Sequence, residues 1–181
     1  MGKIETARLL LRSIEESDAE DIYEYSRNPN VGITAGWKPH ENIEETRIIM
    51  EQIFIGQENI FGIVLKECNK LIGTIGLMPD PRRENPKAMM IGYAMAEEHW
   101  GKGLMTEAAN AVVSYGLNKL ALDLISCTCY PGNRRSRRVI EKCSFHYEGS
   151  LRQCEVRFDG KMMDLECFSI TAEEWKNQKM I

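Results

Sequence analysis

One segment of the chain combines glycines, backbone amides and polar side chains in a way that suits binding of a phosphate group. It reads Glu-Glu-His-Trp-Gly-Lys-Gly-Leu-Met-Thr-Glu-Ala over residues 97–108 and runs from an apolar strand into a helix. Free amides at a helix N-terminus favour anions, and glycines let the backbone approach a phosphate closely. We therefore predict an anion site suited to pyrophosphate, with an ordinary strand-to-helix turn as the alternative.

Two common phosphate-binding motifs are missing from the sequence. It contains neither Gly-x-x-x-x-Gly-Lys-Ser/Thr nor Gly-x-Gly-x-x-Gly. The first motif marks nucleotide-binding P-loops and the second marks dinucleotide folds, so both classes are disfavoured.

A second polar segment follows the next predicted strand and reads Tyr-Pro-Gly-Asn-Arg-Arg-Ser-Arg-Arg over residues 130–138. Asn133 is well placed as the N-cap of a short helix, and Ser136 follows three residues later. Capping alone explains Asn133, and a solvated face explains the four arginines. The functional interpretation has Asn133 bind an extended ligand while Ser136 presents its hydroxyl at a reacting centre.

Each of these two polar segments lies between a predicted strand and a predicted helix. The predicted strands cover residues 7–13, 60–67, 71–78, 88–95, 122–130, 145–158 and 161–170. The predicted helices begin near Ser17, Asn42, Gly103, Arg134 and Thr171. The first helix ends near Asn28, and residues 30–40 form a loop whose Trp37 faces a ligand or packs in the core. This order predicts an α/β or α+β protein with a mixed sheet.

Composition excludes several classes of protein. Of the 181 residues, 43% are apolar, which is too many for a disordered chain. No apolar run reaches the ~20 residues of a membrane span, and the first residues lack an apolar signal sequence. A net charge of −4 argues against nucleic-acid binding through bulk charge. We expect one cytoplasmic domain over residues 1–181 that binds neither membranes nor nucleic acid.

The six cysteines show neither zinc-ligand spacing nor a secreted disulfide pattern. No Cys-x-x-Cys pair occurs, and the three histidines lie apart from one another. We predict reduced core thiols and no metal site.

Several segments together resemble the GNAT acetyltransferases, and within them the RimJ/RimL branch of ribosomal-protein N-terminal acetyltransferases. The matching motifs are Glu5-Thr6-Ala7-Arg8, Ile91-Gly92-Tyr93, Trp100-Gly101-Lys102-Gly103, Thr106-Glu107-Ala108, Asn133-x-x-Ser136 and Glu141-Lys142-x-Ser-Phe145. The resemblance implies a GNAT-type fold, a twisted mixed sheet of about seven strands flanked by helices. In the family, the sheet is splayed between its fourth and fifth strands, and acetyl-CoA lies in the cleft.

The resemblance also implies roles for individual residues, with acetyl-CoA as the donor and no metal. Backbone groups of Tyr93, Ala94 and Met95 would pair with the pantetheine arm and hold the thioester carbonyl. Asn133 would contact pantetheine, and Ser136 would protonate the departing CoA thiolate. The pyrophosphate would be held by Thr106 and by the amides of Gly101, Lys102, Gly103, Leu104 and Met105.

Three positions depart from the family pattern. Glu98 stands where Gln or Arg is usual, Ser144 replaces a glycine, and Met90 stands where many relatives carry a candidate catalytic glutamate. The general base is therefore unassigned, with Glu98, His99 and Asp80 as the ionisable candidates. An α-amine with a pKa near ~8 is partly neutral at physiological pH, so water-mediated deprotonation would suffice.

The leading hypothesis is direct transfer of an acetyl group from acetyl-CoA to a primary amine, without a covalent acetyl-enzyme. The acceptor is a protein N-terminus or a small amine such as a polyamine, an amino acid or an antibiotic. The acidic first helix suits a cationic acceptor if it faces the cleft, and otherwise is a solvated face. Two alternatives are a non-catalytic acyl-CoA sensor or interaction module, suggested by Met90, and an unrelated phosphate-binding protein. Homodimers are common among relatives, but no interface is readable from the sequence.

Overall fold

A computed structural model describes residues 2–178 of the chain, in which eight β-strands occur. They are β1 (Ile4–Glu5), β2 (Leu9–Arg12), β3 (Ile60–Leu65), β4 (Lys70–Pro79), β5 (Ala88–Met95), β6 (Leu124–Cys129), β7 (His146–Val156) and β8 (Met162–Thr171). Their order in the sheet is β1-β2-β3-β4-β5-β6-β8-β7. The sheet is mixed because β5 and β6 run parallel while β6 and β8 run antiparallel. The predicted α/β fold is confirmed, with the short β1 as one additional strand.

Six α-helices accompany the strands in the described residues. They are α1 (Ala19–Ser26), α2 (Pro29–Ala35), α3 (Ile43–Ile53), α4 (Leu104–Asn118), α5 (Arg134–Lys142) and α6 (Ala172–Gln178). None of these helices has both the length and the apolar composition that crossing a bilayer requires.

Contacts within the chain divide it into two units. The first unit comprises the residues up to Gly76 together with Tyr93–Ala108. The second unit comprises Leu77–Gly92 together with the residues from Ala109 onward. The strands β4 and β5 and the helix α4 each contribute residues to both units. The expectation of one domain over residues 1–181 stays a prediction.

The core of the first unit forms where α1, α2 and α3 bury apolar residues together with β3 and β4. Its buried members include Ile22, Met50 and Leu71, which are at most 1% exposed. The side chain of Trp37 packs against this core, as one of the two predicted alternatives requires.

The core of the second unit includes close packing around Gly116 in α4. A Cβ atom at this position would lie 2.8 Å from both Leu77 Cδ1 and Ile125 Cδ1. Those contacts are shorter than real side chains adopt, so a larger residue here would require the side chains of Leu77 and Ile125 to shift. The predicted hairpin turn is also present, since Gly160 has a φ of 78° and its N–H donates to the Arg157 carbonyl at 2.8 Å.

The parallel pairing of β5 with β6 is short. It joins Ala88–Met90 to Leu124–Ser126, whereas β6 pairs with β8 over its whole length, from Leu124 to Cys129. Pairing that stops at Met90 and Ser126 agrees with a sheet that opens between these two strands.

Two local predictions for the first unit were wrong. Residues 30–35, expected as the start of a loop, belong to α2, which begins at Pro29 because proline is tolerated in the first turn of a helix. Asn28 caps that helix by accepting from the Asn30 N–H at 2.9 Å. The capping box before α1 is formed by Glu15 and Asp18 around a short 3-10 turn, two residues earlier than the predicted Ser17–Glu20 pattern.

Candidate functional site

The predicted phosphate segment folds in the first unit as a tight loop that leads into α4. A 3-10 turn over Glu97–His99 precedes the loop, and Gly101 and Gly103 adopt φ angles of 74° and 76°. Within residues 2–178, no protein acceptor bonds to the amides of residues 101–105. Left-handed glycines and unpaired amides at the start of a helix form a concave anion-binding surface.

The side chain of Glu107, one turn into α4, ties this loop to the N-terminal segment. Its Oε1 accepts from Thr6 Oγ1 at 2.6 Å and from the Arg8 N–H at 2.8 Å, and its Oε2 accepts from Arg8 Nε at 2.7 Å. Arg8 Nη1 also donates to the Lys102 carbonyl at 3.0 Å. We call this arrangement of Thr6, Arg8, Lys102 and Glu107 the loop latch.

The loop latch keeps Glu107 ionised. Partial burial alone would raise the pKa of this carboxyl, but the hydrogen bonds from Thr6 and Arg8 outweigh burial and lower it below its ordinary value of 4.5. The sequence motifs contain Arg8 and Glu107, yet no local signal indicates that these two side chains, 99 positions apart, bond to each other.

Two further contacts hold the other end of the loop. The Glu97 carboxylate accepts from Asn28 Nδ2 at 2.8 Å and from Asn30 Nδ2 at 3.0 Å, which joins the 3-10 turn to the start of α2. Trp100 Nε1 donates to the Met95 carbonyl at 2.8 Å. The loop is thereby fixed on both sides by contacts that sequence reasoning missed.

The predicted pantetheine-binding residues lie at the end of β5, in the first unit. Ala94 and Met95 are buried and Tyr93 is half-buried. Gly73 of β4 lies so near that a Cβ on it would be 2.4 Å from the Ala94 carbonyl oxygen. The same unit therefore contains Tyr93–Met95 and the loop residues 101–106.

Asn133 and Ser136 lie in the second unit, at the start of α5. Asn133 is the N-cap, and its Oδ1 accepts from the Ser136 N–H at 3.2 Å. This confirms the capping interpretation of Asn133. Both side chains are half-buried. The bond occupies the backbone of Ser136 and does not use its hydroxyl.

The carboxylate of Asp80, one of three candidate bases, is held by internal hydrogen bonds. It accepts from Arg82 N at 2.9 Å, from Ser126 Oγ at 2.5 Å and from Arg83 Nε at 3.1 Å. Burial favours the neutral acid, but these donors outweigh burial and hold the pKa of Asp80 below its ordinary value. Such a weakly basic carboxylate is a poor general base.

Of the two remaining candidates, His99 has the ring whose protonation state suits a base. Burial lowers the pKa of its imidazole, although the charge of Glu98 opposes this, and Glu98 Oε1 lies 3.9 Å from His99 Nε2. The imidazole is therefore neutral at pH 7 and able to accept a proton.

Acidic residues of the first helix are engaged within the first unit. Asp18 forms two 2.7 Å hydrogen bonds with Arg12, and Asp21 accepts from the Leu71 N–H at 2.9 Å. Glu24 pairs with Lys70. These three carboxylates have structural partners, which weakens the expectation that the helix attracts a cationic acceptor.

The arginines of α5 differ in their exposure to solvent. Arg137 pairs with Glu141 at 2.9 Å and with Glu166 at 2.8 Å, and its guanidinium lies over the ring of Tyr147. The others, all exposed, are Arg134, Arg135 and Arg138.

The cysteines are free thiols, and their locations are mixed. Cys127, Cys129 and Cys143 are buried, as predicted, whereas Cys68 and Cys154 are exposed. Burial raises the pKa of Cys143 to about 12, so this thiol is protonated at physiological pH.

Comparison with known proteins identifies a family. The family described as Acetyltransferase (GNAT) domain matches residues 8–146 of this chain. Uncharacterized N-acetyltransferase p20 of Bacillus licheniformis is 34% identical over 97% of this chain and 99% of its own length. N-acetyltransferase YoaA of Bacillus subtilis is 36% identical over 92% of this chain and 95% of its own. A GNAT-family acetyltransferase from Bacillus anthracis has a crystal structure that superposes with a TM-score of 0.85, at 28% identity, over 96% of this chain and 100% of that one.

More distant similarity extends to proteins with named acceptors. The [ribosomal protein uS5]-alanine N-acetyltransferase of Escherichia coli is 24% identical over 96% of this chain and 92% of its own length. A spermidine N-acetyltransferase from Vibrio cholerae shares the fold, with a TM-score of 0.74 at 22% identity over 96% of this chain and 99% of that one.

Proposed function

Because this chain belongs to the GNAT family of acetyltransferases, we propose that it transfers an acetyl group from acetyl-CoA directly to a primary amine. Members of the family use acetyl-CoA as the donor. The observation that carries the proposal is the loop of residues 101–105, whose amides have no protein acceptor within residues 2–178. Its ligand is then the pyrophosphate of CoA.

The residues of the loop fit a pyrophosphate. A Cβ on Gly101 would meet no atom within 4 Å, so the space beside this residue is open. A Cβ on Gly103 would meet only Arg8 Nη2, at 3.6 Å, which places a guanidinium beside the loop. Open space, free amides and a nearby cation suit a doubly charged anion.

We assign the remaining roles by resemblance. Backbone groups of Tyr93, Ala94 and Met95 bind the pantetheine arm and hold the thioester carbonyl. Asn133 contacts pantetheine, and the Ser136 hydroxyl donates its proton to the departing thiolate. The N-cap bond from Ser136 to Asn133 supports this assignment, because it fixes the position of Ser136 at the start of α5 through its backbone N–H.

The attacking amine must lose a proton, and water or His99 accepts it. Asp80 is set aside because its carboxylate already accepts three hydrogen bonds. An α-amine with a pKa near ~8 is partly neutral at pH 7, so a weak base suffices.

We also propose an acceptor class and a cellular location for the enzyme. The relative that acts on an alanine of ribosomal protein uS5 supports a RimJ/RimL-like enzyme with a protein N-terminus as acceptor. The low identity and the spermidine enzyme of the same fold keep small amines as the alternative. We further propose a single acetyltransferase domain that works in the cytoplasm, where acetyl-CoA is available. A homodimer stays a prediction.

Substitution of Ser136 tests the mechanism. Ser136→Ala retains the backbone N–H that bonds to Asn133, so the fold and the KM for acetyl-CoA should not change. We expect kcat to fall about 10²- to 10³-fold, because general acid catalysis contributes roughly that factor. The measurement is CoA released in the presence of peptide N-termini and small amines.

The matched control is Ser114→Ala, a half-buried serine of α4 with no proposed role. Unchanged turnover in Ser136→Ala would refute the acid role. Wild-type protein that binds CoA without any turnover would be a sensor instead of an enzyme.

A further inference from the structure

The second unit contains a cavity of about 290 Å³ that none of the roles above uses. Its lining comes from the turn after β4, from residues 126–128 of β6, from residues 148–151 of β7 and from β8. The volume lies close to the lower end of the ~300–1,000 Å³ typical of small-molecule sites. This cavity therefore has room for a compact ligand.

The two carboxylates in the lining are already satisfied by partners. Arg83 bridges them, since its Nε donates to Asp80 at 3.1 Å and its Nη2 donates to Glu148. Glu148 also accepts from Ser169 Oγ at 2.8 Å. With the bonds to Asp80 from Ser126 and Arg82, the two carboxylates accept five hydrogen bonds in all. Their remaining capacity for an ammonium group is small.

Arg82, in the same lining, is different because its guanidinium lacks a close oxygen partner. Within residues 2–178, its Nη1 contacts only the Met90 sulfur at 3.7 Å, and its Nη2 is 3.9 Å from Glu155 Oε2. The latter distance is longer than a hydrogen bond. Glu155 in turn accepts from the Tyr130 hydroxyl through its other oxygen. The side chain of Arg82 is 30% exposed, so its N–H groups can reach a ligand.

The other lining residues are neutral. Leu151 and Phe168 supply apolar surface, and Ser150 and Thr128 add hydroxyls. Burial raises the pKa of the Cys167 thiol, which keeps it uncharged at physiological pH. A cavity with one available guanidinium and apolar walls is complementary to a small molecule that carries a single carboxylate.

We propose that this cavity binds the acceptor and that Arg82 holds the acceptor's carboxylate, so the acceptor class is an amino acid. This inference rests on the proposed acetyl transfer to a primary amine, and it favours the small-amine alternative over a protein N-terminus as the acceptor. The amine nitrogen forms the new C–N bond, the thioester C–S bond breaks, and one proton passes overall from nitrogen to the CoA sulfur. The products are an N-acetyl amino acid and CoA.

Matched acceptors test the inference. L-methionine, L-phenylalanine, L-glutamate and L-lysine are each compared with the amine made by removing the α-carboxylate. We expect wild-type protein to acetylate at least one amino acid with a kcat/KM at least 10-fold above its matched amine. Arg82→Gln should raise the KM for that amino acid about 10- to 100-fold, the factor that a lost charge-assisted hydrogen bond gives. It should leave the KM for the amine and for acetyl-CoA unchanged.

Two further variants separate recognition from folding. Arg82→Lys keeps the charge but not the planar fork, so it should restore part of the loss. Arg152→Gln removes the same charge from an exposed position of β7 outside the lining and should behave as wild type. The melting temperature of every variant is recorded.

Three results overturn the inference. They are equal use of amines and amino acids, an unchanged KM in Arg82→Gln, and acetylation of peptides or polyamines but of no free amino acid. Failure of the proposed function looks different, because wild-type protein would then show no binding of CoA in calorimetry.

Discussion

At the scale of single residues, Glu107 determines whether the anion-binding loop keeps its shape. Its carboxylate accepts three hydrogen bonds, from Thr6 and Arg8, and Arg8 then bonds to the Lys102 carbonyl inside the loop. Removing the charge weakens every bond of this loop latch at once. The amides that follow Lys102 then lose the arrangement that suits a pyrophosphate.

Glu107→Gln should therefore raise the KM for acetyl-CoA about 10-fold, from the loss of charge-assisted hydrogen bonds worth ~1–3 kcal/mol. The KM for S-acetylpantetheine, which lacks the pyrophosphate, should not change. Steady-state kinetics with both donors measures the difference. Glu44→Gln, at an exposed position of α3, is the control, and an equal rise with both donors would contradict the loop latch.

The pH dependence of stability, compared between wild type and Glu107→Gln, tests whether the ionised carboxylate of Glu107 stabilises the fold. The folded-state pKa of Glu107 is lowered, so its contribution to stability is complete above the ordinary value of 4.5. That contribution is lost as pH falls through the lowered pKa. The difference in melting temperature between wild type and Glu107→Gln should be constant from pH 7 to about 5.5 and should narrow below about pH 4.

At the scale of secondary-structure elements, the loop before α4 depends on backbone conformations that L-residues disfavour. Gly101 and Gly103 both have positive φ angles, and these place consecutive N–H groups at the start of the helix. In this loop, the same two glycines therefore provide both the positive φ angles of the turn and the backbone N–H groups for binding.

A comparison of Gly103→Ala with Gly56→Ala separates the effect of backbone strain on stability from the effect of the loop on CoA binding. Gly56 has a φ of 72°, close to the 76° of Gly103, and a Cβ on it meets nothing within 4 Å. Each substitution should cost about 1–2 kcal/mol of stability through backbone strain. Calorimetry should show that only Gly103→Ala raises the Kd for CoA, by at least about 10-fold. Equal affinity for CoA in both variants would show that the loop does not bind CoA.

Local sequence signals predicted most elements but not the contacts between them. The bounds of β5 and α5 agree with the structure, because a continuous apolar run and a capping asparagine are local signals. α2 was missed because Pro29 was interpreted only as the end of the preceding helix, although proline also suits a first turn. The loop latch and the Arg83 bridge join distant residues, and such pairs leave no periodic pattern in a single sequence.

At the scale of the whole molecule, the local structure of the loop matters more for binding a polyanionic cofactor than the net charge of the chain. The chain carries a formal charge of −4, yet its proposed cofactor is a polyanion. Amides and Arg8 at the loop attract phosphate without changing the overall charge. A polyanion whose phosphates cannot enter this loop, such as an oligonucleotide, should gain no such contacts.

CoA should consequently stabilise the folded protein. At a concentration 100 times its Kd, a ligand adds about 2.7 kcal/mol, which corresponds to a rise in melting temperature of roughly 5–10 °C for a chain of this size. Differential scanning fluorimetry measures the rise. An oligonucleotide at equal phosphate concentration should have no effect, and an equal shift with the oligonucleotide would contradict specific recognition of CoA.

The loop latch also imposes an order in time on the newly made chain. Arg8 leaves the ribosome early, but its partner Glu107 lies 99 positions later. At translation rates of about 5–20 residues per second, the interval between them is roughly 5–20 s. During this time β2 and its neighbours can pair, whereas the anion-binding loop cannot close. The nascent protein thus becomes competent for its cofactor only after more than half of it has been synthesised.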